Sequence, residues 1–492
     1  MTCTPDTFRP LLKRLVETPE YFSSSDLVNA LNHIFTPSAL EPSQISAFLT
    51  ALHIHRVERR PESLAAAAQV LRERSLRCQI EGLGEDGDFV CDIVGTGGDG
   101  WNLFNVSTTA GVVAAGAGVR VIKHGSRAST SSSGSADLLQ ALGCIFVAPP
   151  PIPNDPEKVK PSTLKHFIPK PELYSPNPTP PDSPTTPTHS QSSSNDESSP
   201  SKQKYTPLPS IPFTFILAPH YHPSLAYIAP FRRQLPFRTM FNILGPLINP
   251  ARPKGMVLGI AEPELGWTFA RSLREGGVER GLVVCGEERL DEISCAGGTW
   301  VWSVGVDLEE ALGLGDRSSS SSNENTETQN QDLDAKTQTQ RLRDLKDLRK
   351  EEQTFHDSSV YGPITVTKIR VTPSMFGLPS HPLSEVVGGS PEENAEVFKG
   401  MLQGKGDSDS SKNSDPTTPT PTVGRIGSNP NANLTPFLNF TLLNASALLV
   451  VSGVAKTFRE GTEMARESVR SGRAWEVFER FREVGGGARG GK

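Results

Sequence analysis

Residues 92–143 combine the residue types that bind phosphate groups. The glycine-rich run 95–100 removes side chains where the backbone must turn, so that bare amides can approach an anion closely. Asn105, Ser107 and Thr108 follow at a predicted helix start, where free N–H groups and the positive end of the helix dipole favour phosphate oxygens. This order of features predicts a phosphate site.

The residues after the glycines decide between nucleotide-binding folds. Residues 95–100 formally satisfy the pattern G-x-G-x-x-G, but a dinucleotide-binding fold wants an acidic residue at the end of the second strand to hold a ribose. This chain has Lys123 and His124 there, and cations suit phosphate rather than ribose hydroxyls. A Walker loop needs Gly-Lys-Ser or Gly-Lys-Thr after the glycines, whereas Trp101 and Asn102 follow here. Taken alone, the glycine cluster is also typical of an ordinary strand-to-helix turn.

Asp291 and Glu292 are adjacent carboxylates in the string LDEIS, after a predicted strand and loop. Mg²⁺ prefers oxygen ligands and binds through one or two carboxylates together with waters and substrate phosphates. Neighbouring carboxylates on an extended segment point apart, which disfavours a paired acid and base for hydrolysis. Without a matching motif such a pair is usually surface decoration, so a metal site here depends on its context.

Short apolar runs alternate with helical patterns around these residues. Runs bounded by glycine predict buried strands, and the segments between them have helical spacing. Repeats of strand, helix and strand indicate an α/β fold with a mixed, mainly parallel sheet flanked by helices. Ligands bind such sheets at the carboxyl ends of the strands, where residues 95–100, 123–127 and 291–292 would all fall. The predicted strands are 91–94, 119–122, 211–217, 257–260 and 281–285, and the predicted helices are 110–118, 225–235 and 265–275.

Residues 1–85 show the spacing of amphipathic helices, with Leu27, Leu31 and Ile34 on one face. The pattern predicts a small N-terminal helical domain that precedes the α/β part of the chain. The predicted domains are the helical residues 1–85, completed by 220–245, and the α/β residues 86–150 and 246–492.

Three internal tracts are rich in polar residues and poor in large apolar ones. Such segments cannot bury enough apolar surface to offset the entropy lost on ordering, and an overall hydrophobic content of 36% agrees with their presence. Insertions of this kind are tolerated on surface loops, away from a site. The charged residues 341–352 are either a solvated helix or more linker. The predicted low-complexity insertions are 151–210, 316–352 and 405–421.

Composition narrows the class of protein. A formal net charge of -6 and a pI near 6.0 give no basic footprint, which disfavours nucleic acid or an acidic membrane as a partner. Six cysteines form no C-x-x-C pair, as expected of reduced thiols without a zinc site. The N-terminus is charged rather than apolar, and no uninterrupted apolar stretch reaches the roughly 20 residues of a membrane helix. These features predict a soluble cytoplasmic protein.

Several spaced strings resemble the anthranilate phosphoribosyltransferase family, whose fold is related to that of nucleoside phosphorylases. The resemblance covers most of the chain outside the polar tracts. The strings are GTGGDG at 95–100, FNVST at 104–108, KHGSRASTSSSGSADLLQALG at 123–143, HPSLAYIAPFRRQLPFRTMFNILGPLINPA at 222–251, LDEIS at 290–294 and NASALLVVSGVAKTFREGTEMAR at 444–466.

The resemblance implies transfer of the 5-phosphoribosyl group of phosphoribosyl pyrophosphate to the amine of anthranilate, a step of tryptophan biosynthesis. It implies Mg²⁺ as the cofactor, held by Ser107, Asp291 and Glu292, and a homodimer formed through the helical domain. No residue identifies itself as a distinct catalytic acid or base. The implied contacts are Gly95, Thr96, Gly97, Gly98, Asp99, Asn105, Ser107, Thr108 and Lys123 for phosphoribosyl pyrophosphate, and His124, Gly125, Ser126 and Arg232 for anthranilate.

Arg232 and Arg233 are rivals for the anthranilate carboxylate, because a guanidinium fork can match a carboxylate in bidentate geometry. On a helix the two side chains point about 100° apart, so one can face a cleft while the other is solvated. The family pattern favours Arg232. Ser126 departs from the family, in which Asn is more common, and its shorter reach leaves the acceptor contact at this position open.

Other interpretations stay open at this stage. His222 either lines the channel of the aromatic substrate or caps the turn before Pro223. Arg238, Asn242 and Gly245 are interpreted first as parts of a structural turn. A pyrimidine nucleoside phosphorylase would bind inorganic phosphate and a nucleoside, and its glycine loop differs from this one. A non-catalytic relative that binds nucleic acid is a further alternative, against which the acidic balance argues.

Overall fold

The structure, a computed structural model, begins with helices and continues with alternating strands and helices. It describes residues 2–76, 78–80, 89–128, 131–146, 206–208, 210–314, 350–356, 362–403 and 433–487. The strands are β1 (Cys78–Ile80), β2 (Val90–Gly95), β3 (Arg120–Gly125), β4 (Thr206–Leu208), β5 (Phe213–Leu217), β6 (Gly255–Gly259), β7 (Arg280–Gly286), β8 (Thr299–Val304), β9 (Glu351–Phe355) and β10 (Ile364–Val371). The α-helices are α1 (Pro5–Glu17), α2 (Ser24–Ile34), α3 (Pro42–Ile54), α4 (Pro61–Glu73), α5 (Val106–Gly116), α6 (Ser135–Ala141), α7 (Ala218–Tyr221), α8 (Pro223–Gln234), α9 (Gly266–Glu275), α10 (Leu308–Ala311), α11 (Pro391–Leu402), α12 (Thr435–Ser452), α13 (Phe458–Arg470) and α14 (Arg473–Gly487).

Eight of these strands form one mixed sheet in the order β5-β3-β2-β6-β7-β8-β10-β9. The first five strands run parallel to one another. The pairs β7–β8, β8–β10 and β10–β9 that continue the sheet are antiparallel. Because β2, β3, β5 and β6 run in the same direction, their carboxyl ends meet at one edge of the sheet. The loops that carry the predicted phosphate residues leave from this edge.

Alternate residues of the central strands point to opposite faces of the sheet. Val257 packs into a cluster that contains residues of α5 and α12, whereas Met256 and Leu258 pack into a cluster with the N-terminal helices and α9. Both faces of the parallel part are therefore covered. This explains why its strands read as nearly uninterrupted apolar runs in the sequence.

Helix α12 is apolar on all sides because it lies in the interior. It packs against α5 and α13, and by length and composition it is the helix within the described ranges that could cross a membrane. Inside the protein, however, 89% of this stretch is buried, which is the environment of a core helix. Gly461 of α13 approaches it closely, since an added Cβ there would lie 2.8 Å from Ser446 Oγ.

The N-terminal helices form a core with part of the chain that follows β5. Helix α2 begins in a capping box, in which Ser23 Oγ accepts from the N–H of Asp26 and the carboxylate of Asp26 accepts from the N–H of Ser23. Ile228, Met240 and Phe241 belong to the same apolar cluster as α1–α4. The predicted fold class is confirmed: a helical N-terminal domain accompanies an α/β domain whose mixed sheet is flanked by helices.

One strand, β4, lies within a tract that the sequence assigned to an insertion, and another, β9, begins within such a tract. Strand β4 pairs in parallel with β1, and β9 pairs in antiparallel fashion with β10 at the edge of the large sheet. The predicted insertions 151–210 and 316–352 therefore include strand residues at their carboxyl ends, and their bounds stay predictions. Most side chains of β9 are exposed and Glu351 forms an ion pair with Lys368, so the composition of this edge strand is that of a solvated linker. Residues 151–205, 316–349 and 405–421 lie outside the described residues.

Candidate active site

A cavity of about 330 Å³ opens at the carboxyl ends of β2 and β3. The loop between β2 and α5, the N-terminus of α5 and the loop that follows β7 also contribute to its wall. Thr108 and Arg232 are not part of that wall. The predicted site residues that line the cavity are Gly95, Thr96, Gly97, Gly98, Asp99, Asn105, Ser107, Lys123, His124, Gly125, Ser126, Asp291 and Glu292.

The glycine loop after β2 needs glycine for its conformation and for a close contact. Gly97, Gly98 and Gly100 have φ angles of 66°, 77° and 82°, in the left-handed region that other residues rarely adopt. A Cβ on Gly98 would lie 1.8 Å from Arg238 Nη1. The guanidinium of Arg238 donates to the carbonyl oxygens of Gly97 at 3.0 Å and Thr96 at 3.3 Å, so it fixes the loop from outside.

Asp291 fits against the ends of two strands that lack side chains at the point of contact. Its Oδ2 accepts a hydrogen bond of 2.6 Å from the N–H of Gly97. A Cβ on Gly95 would lie 2.3 Å from Asp291 Oδ2, and one on Gly259 would lie 1.6 Å from the carbonyl oxygen of Asp291. The glycines at the ends of β2 and β6 therefore let the carboxylate reach the phosphate-binding loop.

The charges that meet in the cavity shift one another's ionisation. Burial, with the nearby carboxylate of Asp99 adding to it, raises the pKa of Asp291 to about 7. Burial and the charge of Asp291 raise the pKa of Glu292 well above its usual value, although Lys123 and a hydrogen bond with Ser107 oppose that shift. Removal from water disfavours an ionised carboxylate, and a second carboxylate nearby disfavours it further. A cation bound beside Asp291 and Glu292 would therefore favour their ionised forms.

Lys123 is a buried cation on the inner wall. Its Nζ donates to the carbonyl oxygen of Ile93 and, at 3.2 Å, to Ser107 Oγ. Burial lowers its pKa, and the charges of Asp92 and the cavity carboxylates oppose this shift. Asp92 is itself fully buried and accepts from Asn249 Nδ2 at 2.9 Å, and burial raises its pKa to about 6. Lys123 lies near the carboxyl end of β3, and its ammonium group therefore reaches Ser107 at the start of α5.

His124 lines the cavity, but neither of its ring nitrogens is free. Gly245 O can only accept, so Nδ1 of His124 carries a proton towards it at 3.3 Å. His124 Nε2 then accepts from His222 Nε2 at 3.1 Å. Burial lowers the pKa of His124 well below its usual value and the pKa of His222 to about 4, so both rings are neutral at physiological pH. His222 thus orients His124 from behind the wall.

The structure does not bring two predicted contact residues to the cavity. Arg232 lies half-buried on α8, with its guanidinium 5.8 Å from the ring centre of Phe241, and its Nε has no partner among the described residues. Burial lowers the pKa of Arg232, whereas Arg233 beside it is exposed. The hydroxyl of Thr108 is buried without a hydrogen-bond partner in the described part of the chain, because this side chain faces the helix packing. Thr108 thus offers the cavity no side-chain contact.

Sequence reasoning missed several residues of the wall. Asn242, Gly245 and Pro246 line the cavity, although their string was interpreted as a structural turn. Trp101 also lines it, and its indole N–H donates to the carbonyl oxygen of Glu288 at 3.1 Å, across to the loop that carries the carboxylate pair. An aromatic residue next to a glycine loop was the available signal for Trp101.

Two family models match the chain. One, described as "Glycosyl transferase family, a/b domain", matches residues 87–159, 200–361 and 351–475. The other, described as "Glycosyl transferase family, helical bundle domain", matches residues 9–75. Together they cover the helical domain and most of the α/β domain.

Named relatives and solved structures agree with these models. The chain is 32% identical over 457 residues to an anthranilate phosphoribosyltransferase of Schizosaccharomyces pombe, a match that covers 92% of this chain and 90% of the relative. It is similar in structure to the anthranilate phosphoribosyltransferase of Saccharomyces cerevisiae in complex with PRPP and Mg, with a TM-score of 0.62, 26% identity and coverage of 98% of this chain and 99% of the other. The enzyme of Thermus thermophilus gives a TM-score of 0.60 and 26% identity over 96% of this chain and 99% of the other.

Replacement of one carboxylate is expected to stabilise the metal-free protein near neutral pH. Because folding raises the pKa of Asp291 from 3.8 to about 7, its ionisation opposes folding, and stability is lost as the pH rises between these values. In Asp291→Asn this loss is absent, so in EDTA the variant should exceed the wild type by on the order of 2 kcal/mol above pH 7 and match it near pH 4. Thermal and urea unfolding at several pH values measure the difference.

The matched control for this measurement is Asp6→Asn, because the side chain of Asp6 is 82% exposed. Its difference from the wild type should stay constant over the same pH range. A wild type that is more stable than Asp291→Asn in EDTA at neutral pH would contradict the electrostatic description of the cavity.

Proposed function

The chain belongs to the anthranilate phosphoribosyltransferase family of glycosyl transferases, and we propose that it performs its reaction in the cavity at the ends of β2 and β3. The enzyme transfers the 5-phosphoribosyl group of phosphoribosyl pyrophosphate to the amine of anthranilate and releases pyrophosphate, in tryptophan biosynthesis. One observation supports the location above all. The hydrogen bond between Gly97 and Asp291 joins a phosphate-binding loop to a carboxylate pair.

The side chains of the cavity fit a magnesium ion. Two carboxylates, Asp291 and Glu292, lie beside the hydroxyl of Ser107, and this set suits an ion that retains waters and takes substrate phosphates as further ligands. No cluster of three or more His, Cys, Asp or Glu side chains that could hold a metal occurs in the described ranges, which agrees with such an open site. We assign Mg²⁺, which the yeast enzyme holds together with PRPP, to these three residues. When bound, it would neutralise negative charge on the leaving pyrophosphate.

The phosphate-binding part of the cavity consists of backbone amides and one cation. The amides of Gly98 and Asp99 and those at the start of α5 can donate to phosphate oxygens, whereas the amides of Thr96 and Gly97 already donate to Gly259 O and Asp291 Oδ2. Lys123 supplies a fixed positive charge beside Ser107. We assign the phosphates and the sugar of phosphoribosyl pyrophosphate to this part.

The acceptor is assigned to the opposite part of the cavity, where His124, Gly125 and Ser126 form the wall. Since both nitrogens of His124 are engaged, it offers anthranilate a flat ring rather than a hydrogen bond. Ser126 can donate through its hydroxyl but reaches less far than the Asn that is more common in the family. Arg232 lies outside the wall of the cavity, and we assign it to the anthranilate carboxylate on the family pattern alone; its buried Nε, which has no partner among the described residues, is compatible with that role.

The transfer requires neutralisation of charge and positioning more than acid or base catalysis. As the bond from the anomeric carbon to pyrophosphate breaks, the sugar gains oxocarbenium character and the leaving oxygen gains negative charge. We assign the stabilisation of that negative charge to the ammonium group of Lys123, which lies beside Ser107. The aryl amine of anthranilate is neutral at pH 7, so it attacks with its lone pair and loses a proton afterwards. His124 does not accept this proton while both of its nitrogens are engaged.

Reduced thiols support a cytoplasmic location. All six cysteines are free, and four of them are buried. Burial raises the pKa of Cys91 beyond the range in which a thiolate forms, so it behaves as a core residue. Free thiols of this kind are typical of proteins in a reducing compartment.

The purified protein is expected to consume anthranilate in the presence of phosphoribosyl pyrophosphate and Mg²⁺, which is measured as loss of anthranilate fluorescence. Glu292→Gln removes one carboxylate at constant size and should lower turnover by about 100-fold at fixed Mg²⁺. The control Glu279→Gln changes a half-exposed acid that pairs with Lys254, and its turnover should equal that of the wild type. A wild type without magnesium-dependent consumption of anthranilate would refute the proposed function.

Arg232→Ala is expected to raise the KM for anthranilate by about tenfold or more, since a charged hydrogen bond to a carboxylate contributes roughly 1.5–3 kcal/mol. The KM for phosphoribosyl pyrophosphate should stay within about twofold. Arg233→Ala is the matched control, because this neighbour is exposed, and it should leave both constants unchanged. If Arg233→Ala has the larger effect, the choice between the two arginines is wrong.

We also propose that the helical domain forms a homodimer. The three most exposed large apolar side chains of the described residues lie on α1, on α3 and in the turn after α1, with Tyr21 73% exposed, Ile54 65% and Val16 51%. Ile54→Lys should shift the protein from dimer to monomer in light scattering, since a charge at the centre of an apolar interface disfavours association. Val454→Lys, at an exposed site after α12, is the control and should leave the mass unchanged. A wild type that is monomeric at micromolar concentration would contradict the dimer.

A further inference from the structure

The side-chain amide of Asn105 makes three hydrogen bonds within the protein. Its Nδ2 donates to the carbonyl oxygen of Ser133 at 2.8 Å. Its Oδ1 accepts from Ser133 Oγ at 3.0 Å and from Asn394 Nδ2 at 3.1 Å. Asn105 therefore connects the N-terminus of α5 to the serine loop, residues 131–133, of which Ser131 and Ser133 line the cavity.

Asn394, on α11, is almost completely buried, with 3% of its surface exposed. The orientation of its amide is fixed by the peptide of Gly389. The N–H of Gly389 can only donate, so Asn394 Oδ1 must face it, at 2.9 Å. Asn394 Nδ2 then faces Asn105 Oδ1, and it also lies 3.3 Å from the carbonyl oxygen of Gly389. The backbone thus imposes the direction in which Asn394 donates.

Gly388 and Gly389, named here the glycine corner, also form hydrogen bonds with Ser132 on the other side of the serine loop and with Asn102. The hydroxyl of Ser132 lies 2.6 Å from Gly389 O and 2.8 Å from Asn102 Oδ1, and its one proton can be donated to either oxygen. Asn102 exchanges hydrogen bonds with Gly388, since its Nδ2 donates to Gly388 O and its carbonyl oxygen accepts from Gly388 N. A Cβ on Gly388 would lie 2.4 Å from the carbonyl oxygen of Leu103, so this approach requires glycine.

We propose that Asn394 is a positioning residue for phosphoribosyl pyrophosphate. Asn394 fixes the side chain of Asn105, which in turn contacts Ser133, and it touches neither substrate itself. The inference rests on the proposed function and adds to it a part of the chain that no motif of the phosphate site contains. Because Asn105 stands at the start of α5, in the part of the cavity that we assign to the phosphates, the expected effect is confined to this substrate.

Asn394→Asp tests the direction of the hydrogen bond. One carboxylate oxygen can still accept from the N–H of Gly389, but the other places an acceptor against Asn105 Oδ1, where the amide placed a donor. The KM for phosphoribosyl pyrophosphate should rise by about tenfold. The turnover number at saturation and the KM for anthranilate should stay within about twofold.

The control is Asn439→Asp, because Asn439 is an equally buried amide, 4% exposed, whose Nδ2 contacts His381 and which does not line the cavity. This variant should lose thermal stability without a change in the KM for phosphoribosyl pyrophosphate. A purely structural role of Asn394 would give the same pattern in Asn394→Asp, and that result would overturn the proposal.

Ser132→Ala keeps the test decisive if Asn394→Asp does not fold. It removes only the hydroxyl that reaches the glycine corner, and it should raise the KM for phosphoribosyl pyrophosphate about threefold. When both variants fold, the double variant should show less than the product of the two effects, since both residues hold the same loop. If the wild type is active and both variants keep its KM for phosphoribosyl pyrophosphate, the inference is refuted and the proposed function is not. An inactive wild type refutes the proposed function.

Discussion

The contact between Asp291 and the amide of Gly97 is the constraint on which the rest of the site depends. A carboxylate and a phosphate-binding loop can share a cavity only if nothing separates them, and Gly95 and Gly259 provide that space at the ends of adjacent strands. The parallel order of β3, β2 and β6 brings those ends to one edge. Arg238 and Trp101 then hold the glycine loop from its two outer sides.

This arrangement concentrates negative charge at a cost to stability. Asp92, Asp291 and Glu292 all act on the one buried ammonium group of Lys123, and the pKa values of all three carboxyl groups lie above their usual range. Under the proposed function a divalent cation and a polyphosphate would bring charges that complement the two parts of the cavity. Under the proposed function this unfavourable local charge distribution serves the reaction, which is a common relation between stability and activity.

The sequence predicted the parts of the site that are close in the chain. The glycines, the start of α5 and Lys123 follow one another within about thirty residues, and their spacing alone placed them at one edge of a sheet. Arg238 and Asn394 could not be found in this way, since they meet the glycine loop and Asn105 across 141 and 289 residues. The edge strand β9 was missed because its exposed side chains have the composition of a linker. The contacts of Arg232 with substrate remain a prediction.

The distance in sequence between Asn105 and Asn394 also bears on how the protein is made. The ribosome synthesises β2, α5 and β3 long before α11. The serine loop therefore lacks its hydrogen bonds with the glycine corner until that later part of the chain has been made. Contacts of such long range close late, because the entropy of a large loop opposes them until the rest of the core has formed. A chain released before Gly388 would carry most of the catalytic groups and still lack a finished binding site. Activity in a cell lysate would therefore report complete synthesis of the chain more faithfully than an antibody against its N-terminal half.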